Sequence, residues 1–147
     1  QTLAALKPLA IAAYAQLAPA SEVLDMTYRP KWCSTLLPPV EAIPPGQWPD
    51  LWETQMRQAL ISQVGAEKQR MTCLVGPHRD DVCLTLNAQD ATAFASQGQQ
   101  RSIVLALKHA ELEWLHAHQG EWPVLLLDDV MAELDPERQR FLLGWFK

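Results

Sequence analysis

Val124 to Asp129 reads VLLLDD, an unbroken apolar run closed by two acids and introduced by Trp122 and Pro123. A short, continuously apolar run is the pattern of a strand whose two faces are both covered. The polar stretch before it, residues 94–102, leads into a helix predicted to about His118. After it, LDPERQRFLLGWF starts a second helix, with Asp135 at N-cap and Pro136 at N1. Helix, buried strand, short loop and helix in succession restrict the chain to an α/β architecture.

Composition bounds what this architecture can do. The chain has 147 residues, of which 48% are hydrophobic, enough for one domain or two small lobes. Its net charge is −5, a poor match for a free-standing nucleic-acid binder, so any DNA contact needs a local patch or a partner surface. The three cysteines, Cys33, Cys73 and Cys83, form no C-x-x-C. Free thiols in a reducing compartment, the cytoplasm, are expected. No signal peptide is visible, and no apolar run is long enough for a membrane span. Both ends read as helices already under way and there is no initiator Met, so a fragment of a longer protein is expected.

Along the chain, Leu3, Leu6, Ile11, Tyr14 and Leu17 recur at helical spacing, with Pro8 predicted to kink or break the helix. EVLDMTYRP alternates, which places Leu24, Met26 and Tyr28 on the buried face of a strand closed by Pro30. Residues 30–49 hold six prolines with Trp32 and Trp48, an irregular or linker segment. Residues 50–69 are predicted helical, with Asp50 as cap and Leu51, Met56, Leu60 and Val64 buried. MTCLVGP and DVCLTLN read as two strands around a GPHRDD turn, and NAQD as a further turn. The expected division is a mainly helical arm over 1–70 and a sheet-plus-helix lobe over 71–147.

Two stretches carry chemistry. Asp128 and Asp129 sit at the carboxyl end of the buried strand, the edge where ligands of open α/β sheets gather. A carboxylate there can hold Mg²⁺, and a second can orient or deprotonate an attacking water. The plainer alternative is a pair that caps the next turn. FASQGQQRS, residues 94–102, places Ser96 and Gly98 at a helix start. There, free amides and the helix dipole favour an anion, and glycine permits close approach of a phosphate. Its plainer alternative is an ordinary Ser cap on a polar loop.

The order of these stretches resembles the carboxyl-terminal half of an ABC-type ATPase head: SQGQQR as signature motif, VLLLDD as Walker B, AELD as D-loop. GPHRDD, FASQGQQR and LLLDDVMAELD together resemble the RecF family of DNA replication and repair proteins over residues 75–142, and the segment before them resembles that family's inserted arm domain more loosely. The resemblance implies an ABC-type head lobe with a parallel-rich sheet, plus part of the arm. It implies that Asp128 coordinates Mg²⁺ and that Asp129 stands where most ABC proteins have a glutamate base, which suits slow, DNA-dependent ATP hydrolysis. It implies that Ser96, Gln97, Gly98 and Gln99 contact ATP held by another subunit, with Ala132 to Asp135 across the interface. The implied whole is an ATP-dependent homodimer that binds single-strand/double-strand DNA junctions. With recombination mediator proteins, it helps load the recombinase in repair, replication-fork restart and the SOS response. No G-x-x-x-x-G-K-[ST] occurs in the sequence, so this chain alone is expected to bind ATP weakly and hydrolyse none.

Other features rank lower. Arg79 in GPHRDD could meet phosphate or an interface carboxylate, or the turn could be internally ion-paired; His78 has no assigned role. His109, Glu113 and His116 share a helical face, read as solvated rather than as a metal site. Trp32, Trp48 and Trp52 read as packing residues rather than base-stacking ones. Ile103, Leu107, Ala110 and Trp114 read as core. The competing function classes are another SMC-like or transporter ABC head and an α/β protein-interaction module whose acids are structural.

Overall fold

The computed structural model describes residues 2–32, 48–126, 131 and 134–145, with the side chains of 48–51 outside the description. Its elements are α1 (Thr2–Leu17), β1 (Leu24–Arg29), α2 (Trp48–Arg70), β2 (Asp81–Leu86), β3 (Gln89–Asp90), α3 (Ala91–Phe94), α4 (Gln97–Gln119) and α5 (Pro136–Gly144), with a 3₁₀ turn at Pro77–Arg79. Two compact units emerge, Gln1–Met26 with Leu84–Lys147, and Thr27–Cys83. The partition passes within β1 and β2, so it follows contacts rather than chain order.

In the first unit, α1 packs along α4. The seam is lined by small side chains: Ala10 and Ala13 of α1 and Ala106 and Ala110 of α4 are almost fully buried. Alanine lets two helix backbones approach closely while Tyr14, Leu17, Ile103 and Leu105 fill the space around them. The α1 helix runs through Pro8 rather than breaking there. Leu142 of α5 is fully buried in the same core, with Leu24 and Leu86 from the sheet.

The sheet has three strands in the order β1-β2-β3. β1 carries the expected alternation, with Leu24 and Met26 buried. β2 and β3 pair antiparallel, Thr85 opposite Asp90 and Leu86 opposite Gln89. Asn87 and Ala88 between them have φ of +50° and +64°, the type I′ geometry that matches strand twist in a two-residue hairpin. Asn87 also fixes the start of β1: its amide donates to the Val23 carbonyl, and its Oδ1 accepts from the Val23 amide, both at 2.9 Å.

Three expectations are corrected. MTCLVGP is not a strand. The Glu67 carboxylate of α2 reaches forward and accepts from the Leu74 and Val75 amides at 2.6 and 3.2 Å, which removes donors that a ladder would need. On α2, Leu60 and Val64 are 41% and 44% exposed rather than buried, and the helix begins at Trp48, ahead of the expected cap at Asp50. Within WPVLLLDD, Pro123–Leu126 join no ladder among the described residues, and Val124 and Leu126 stand 89% and 88% exposed. A strand needs a neighbour's backbone, and the described sheet does not supply one here. Most of the proline-rich segment, residues 33–47, lies outside the described residues, as do Leu127–Val130.

Candidate functional site

The polar stretch that precedes α4 is a complete capping box. Ser96 is the N-cap, with φ −63° and ψ 160°. Its Oγ accepts from the Gln99 amide at 3.3 Å, and its own amide donates to Gln99 Oε1 at 2.8 Å. Gln99 then uses the other end of its side chain: Nε2 donates to Glu22 Oε1 at 2.9 Å. The second Glu22 oxygen accepts from the Tyr14 hydroxyl at 2.7 Å. The cap is thus anchored to α1. Burial, followed by the Glu22 carboxylate, holds the Tyr14 phenol above its ordinary value. Ser96 and Gln97 remain exposed, and Gly98 is half-buried. Helix geometry gives the Gln97 and Gly98 amides no intrahelical acceptor, so the first turn presents donors and positive dipole charge outward.

Asp135 caps α5 as its sequence suggests. One oxygen accepts from the Glu137 and Arg138 amides, each at 3.1 Å, and the other from Arg138 Nη1. These bonds, the Arg138 amide first, hold the Asp135 carboxyl below its ordinary value. Gln139 Nε2 donates to the Met131 and Leu134 carbonyls at 2.8 and 3.0 Å.

The two helix starts are joined by Arg138. Nη2 donates to the Gly98 carbonyl at 3.0 Å, and Nε to Ser102 Oγ at 2.9 Å. Ser102, 1% exposed, in turn donates to the Gly98 carbonyl at 3.2 Å. The guanidinium fork therefore holds one carboxylate, one carbonyl and one hydroxyl.

This chain is 41% identical over 142 residues to the DNA replication and repair protein RecF of Heliobacterium modesticaldum, a match covering 97% of this chain and 35% of that one. It is 44% identical over 147 residues to RecF of Trichormus variabilis, with the same coverages. A solved structure described as the recombination mediator protein RecF-ATP in the RecFOR pathway superposes with TM-score 0.77 at 30% identity, over 99% of this chain and 36% of that one. The chain belongs to the RecF family. It spans about 35% of the length of these RecF relatives. A second structure, RecF-ATPrS, agrees at TM-score 0.78 and 31% identity. No family model matches the chain. The fold is accordingly a piece of the RecF form of the ABC-type ATPase head.

Against the RecF motifs, the structure brings Ser96, Gln97, Gly98, Gln99 and Asp135 to two helix starts linked by one arginine. Asp128, Asp129, Ala132 and Glu133 lie outside the described residues. Among the described residues no group of three metal-ligating side chains forms, and no helix is long and apolar enough to cross a membrane. His109 is not on a solvated face: its ring lies 5.5 Å from Phe141 and 5.2 Å from Trp145. Sequence reasoning missed Tyr14, Glu22, Ser102, Arg138 and Gln139. Only Arg138 gave a local sign, three residues after an N-cap aspartate.

In the second unit, GPHRDD is organised by Asp80. It accepts from the Tyr28 hydroxyl, from Trp32 Nε1 at 3.2 Å and from the Lys31 amide at 3.1 Å. Burial, then Asp80, pushes the Tyr28 phenol up to about 12. Trp52 packs against Tyr28 and Trp32 at 5.6 and 5.8 Å, as a packing residue. Gly76, at φ +144°, holds a backbone conformation that strains any residue with a side chain. His78 and Arg79 are exposed on the 3₁₀ turn.

Proposed function

We propose that this chain supplies the signature-side half of an intersubunit ATP site in a RecF-type DNA repair protein. In this reading Ser96, Gln97, Gly98 and Gln99 meet the γ-phosphate of ATP bound to the phosphate-binding loop of another subunit, and the loop ending at Asp135 lies across the interface. The observation that carries it is the pairing of an exposed Ser96-capped helix start with the Asp135-capped start of α5 through Arg138. The outward amides of the first turn of α4 suit a phosphate. The Gln99 side-chain Nε2 would have to leave Glu22 to reach a phosphate directly, so Ser96 and the backbone are its primary contacts.

By motif, Asp128 holds Mg²⁺ and Asp129 is the base or water-orienting group. The shorter aspartate sets slow hydrolysis, which Asp129→Glu should accelerate in a protein that carries both halves of the site. The whole protein, by the same reading, works in the cytoplasm as an ATP-closed dimer on single-strand/double-strand DNA junctions with recombination mediators. Residues 1–70 contribute to its arm and 71–147 to its head. The test is sedimentation of a RecF-type protein that carries this segment together with a phosphate-binding loop. ATP should convert it from monomer to dimer, and Ser96→Arg should abolish the conversion while ATP still binds each subunit. Unchanged dimerisation of Ser96→Arg refutes the reading.

A further inference from the structure

The three donor groups of the Arg138 side chain are each committed to a different acceptor, two on α4 and one at the cap of α5, and one of them ends on the backbone of Gly98. Nη1 engages the α5 cap Asp135, Nε engages buried Ser102 on the core side of α4, and Nη2 engages the Gly98 carbonyl. The side chain is 22% exposed, so water competes weakly for these bonds. A Cβ on Gly98 would lie 3.5 Å from Nη2, so the guanidinium packs directly against the signature glycine. Asp135 itself also holds the Arg138 amide, which makes the α5 cap and the fork one bonded unit.

We propose that Arg138 is a positioning residue that locks the signature turn of α4 and the loop entering α5 into a single body. This rests on the proposed function, in which both belong to the face presented to the other subunit's nucleotide. A displacement of either loop by ATP is then passed to the other through a planar fork, not through the intervening chain. Lysine cannot replace it: its single ammonium can keep Asp135 at i,i+3 but cannot also reach Gly98 and Ser102 in fixed directions. Arg138→Lys therefore separates the clamp from the cap.

Two measurements test it. In hydrogen exchange on the full chain, Arg138→Lys should speed exchange of amides in 97–103 and 137–142 together. A change confined to 137–142 overturns the proposal. In a RecF-type protein with both halves of the site, Arg138→Lys should weaken ATP-driven self-association about tenfold more than it weakens ATP binding by the lone subunit, within the usual range of coupling between sites. Arg140→Lys, on the same helix and bonded to the Pro136 carbonyl at 3.2 Å, should change neither. Equal losses in association and in lone-subunit binding would reduce Arg138 to a general structural role and overturn the proposal. Wild-type protein that fails to associate with ATP would refute the proposed function instead. The exchange result alone would then decide whether the clamp exists.

Discussion

Ser102→Ala measures how much the Arg138 fork stabilises this fold. Ser102 is a buried polar residue of the first unit, 1% exposed, and it accepts from Arg138 Nε at 2.9 Å while donating to the Gly98 carbonyl at 3.2 Å. Alanine removes both bonds and leaves Nε facing a methyl group. A hydrogen bond to a charged group contributes about 1.5–3 kcal/mol. Because the arginine is partly exposed, water recovers some of it, and the lower part of that range applies. Against this, alanine is the better helix former by about 0.5 kcal/mol. The expected net loss is about 1–2 kcal/mol. For a chain of this size that is a fall in Tm of roughly 2–8 °C. Urea unfolding followed by circular dichroism checks it: the midpoint should fall with the slope unchanged. If the variant is as stable as the parent, or more stable, Ser102 is a bystander on a well-packed helix and the fork is not a stabilising element.

Three further outcomes follow from particular atoms. Ala88→Gly should stabilise the protein by about 1 kcal/mol, because Ala88 sits at φ +64° in a turn that favours glycine at its second position; a lower urea midpoint would contradict this. The chain has two tyrosines, and both phenols are held above their ordinary value by burial and a carboxylate. An ultraviolet titration of the folded chain should therefore show little tyrosinate at pH about 10, with the signal appearing on unfolding; half-ionisation near that pH in the folded state would refute both contacts. Asp135 has its folded pKa below the unfolded value of 3.8, so its contribution is present above that value and is lost as pH falls through the folded one. Asp135→Asn, which retains a capping side chain, should flatten the acid side of the stability profile; an unchanged profile would contradict the assignment.

What the sequence disclosed was local chemistry. Ser96 at a helix start announces an N-cap, and Asp135 before Pro136 announces a helix start; both caps form, the first as a full capping box. The alternation Leu24, Met26, Tyr28 likewise carries its own face assignment. What it did not disclose was the bonding between elements far apart in the chain. Arg138 reaches Ser102 and Gly98 across 36 and 40 residues, and Gln99 reaches Glu22 across 77, separations at which no spacing rule operates. MTCLVGP was misread for a related reason: its amides are claimed by Glu67, seven and eight residues earlier. VLLLDD shows the limit from the other side. Its apolar character states that both faces are to be covered, yet Val124 and Leu126 are exposed here, because covering them requires partners that no residue pattern within the run can name. The family motif reached further than periodicity did, since SQGQQR, VLLLDD and AELD were read together in order.

The account's central claim is that the ATP site is shared, with Ser96 of one subunit completing the phosphate-binding loop of the other. Complementation between two defective RecF-type subunits tests it directly. One carries Ser96→Arg, and the other has a disabled phosphate-binding loop. Neither should dimerise alone with ATP, but their mixture should form an ATP-dependent heterodimer, because it contains one composite site with both halves functional. A mixture that stays monomeric at concentrations well above the wild-type midpoint would contradict the shared site and place both motifs in service of a single subunit.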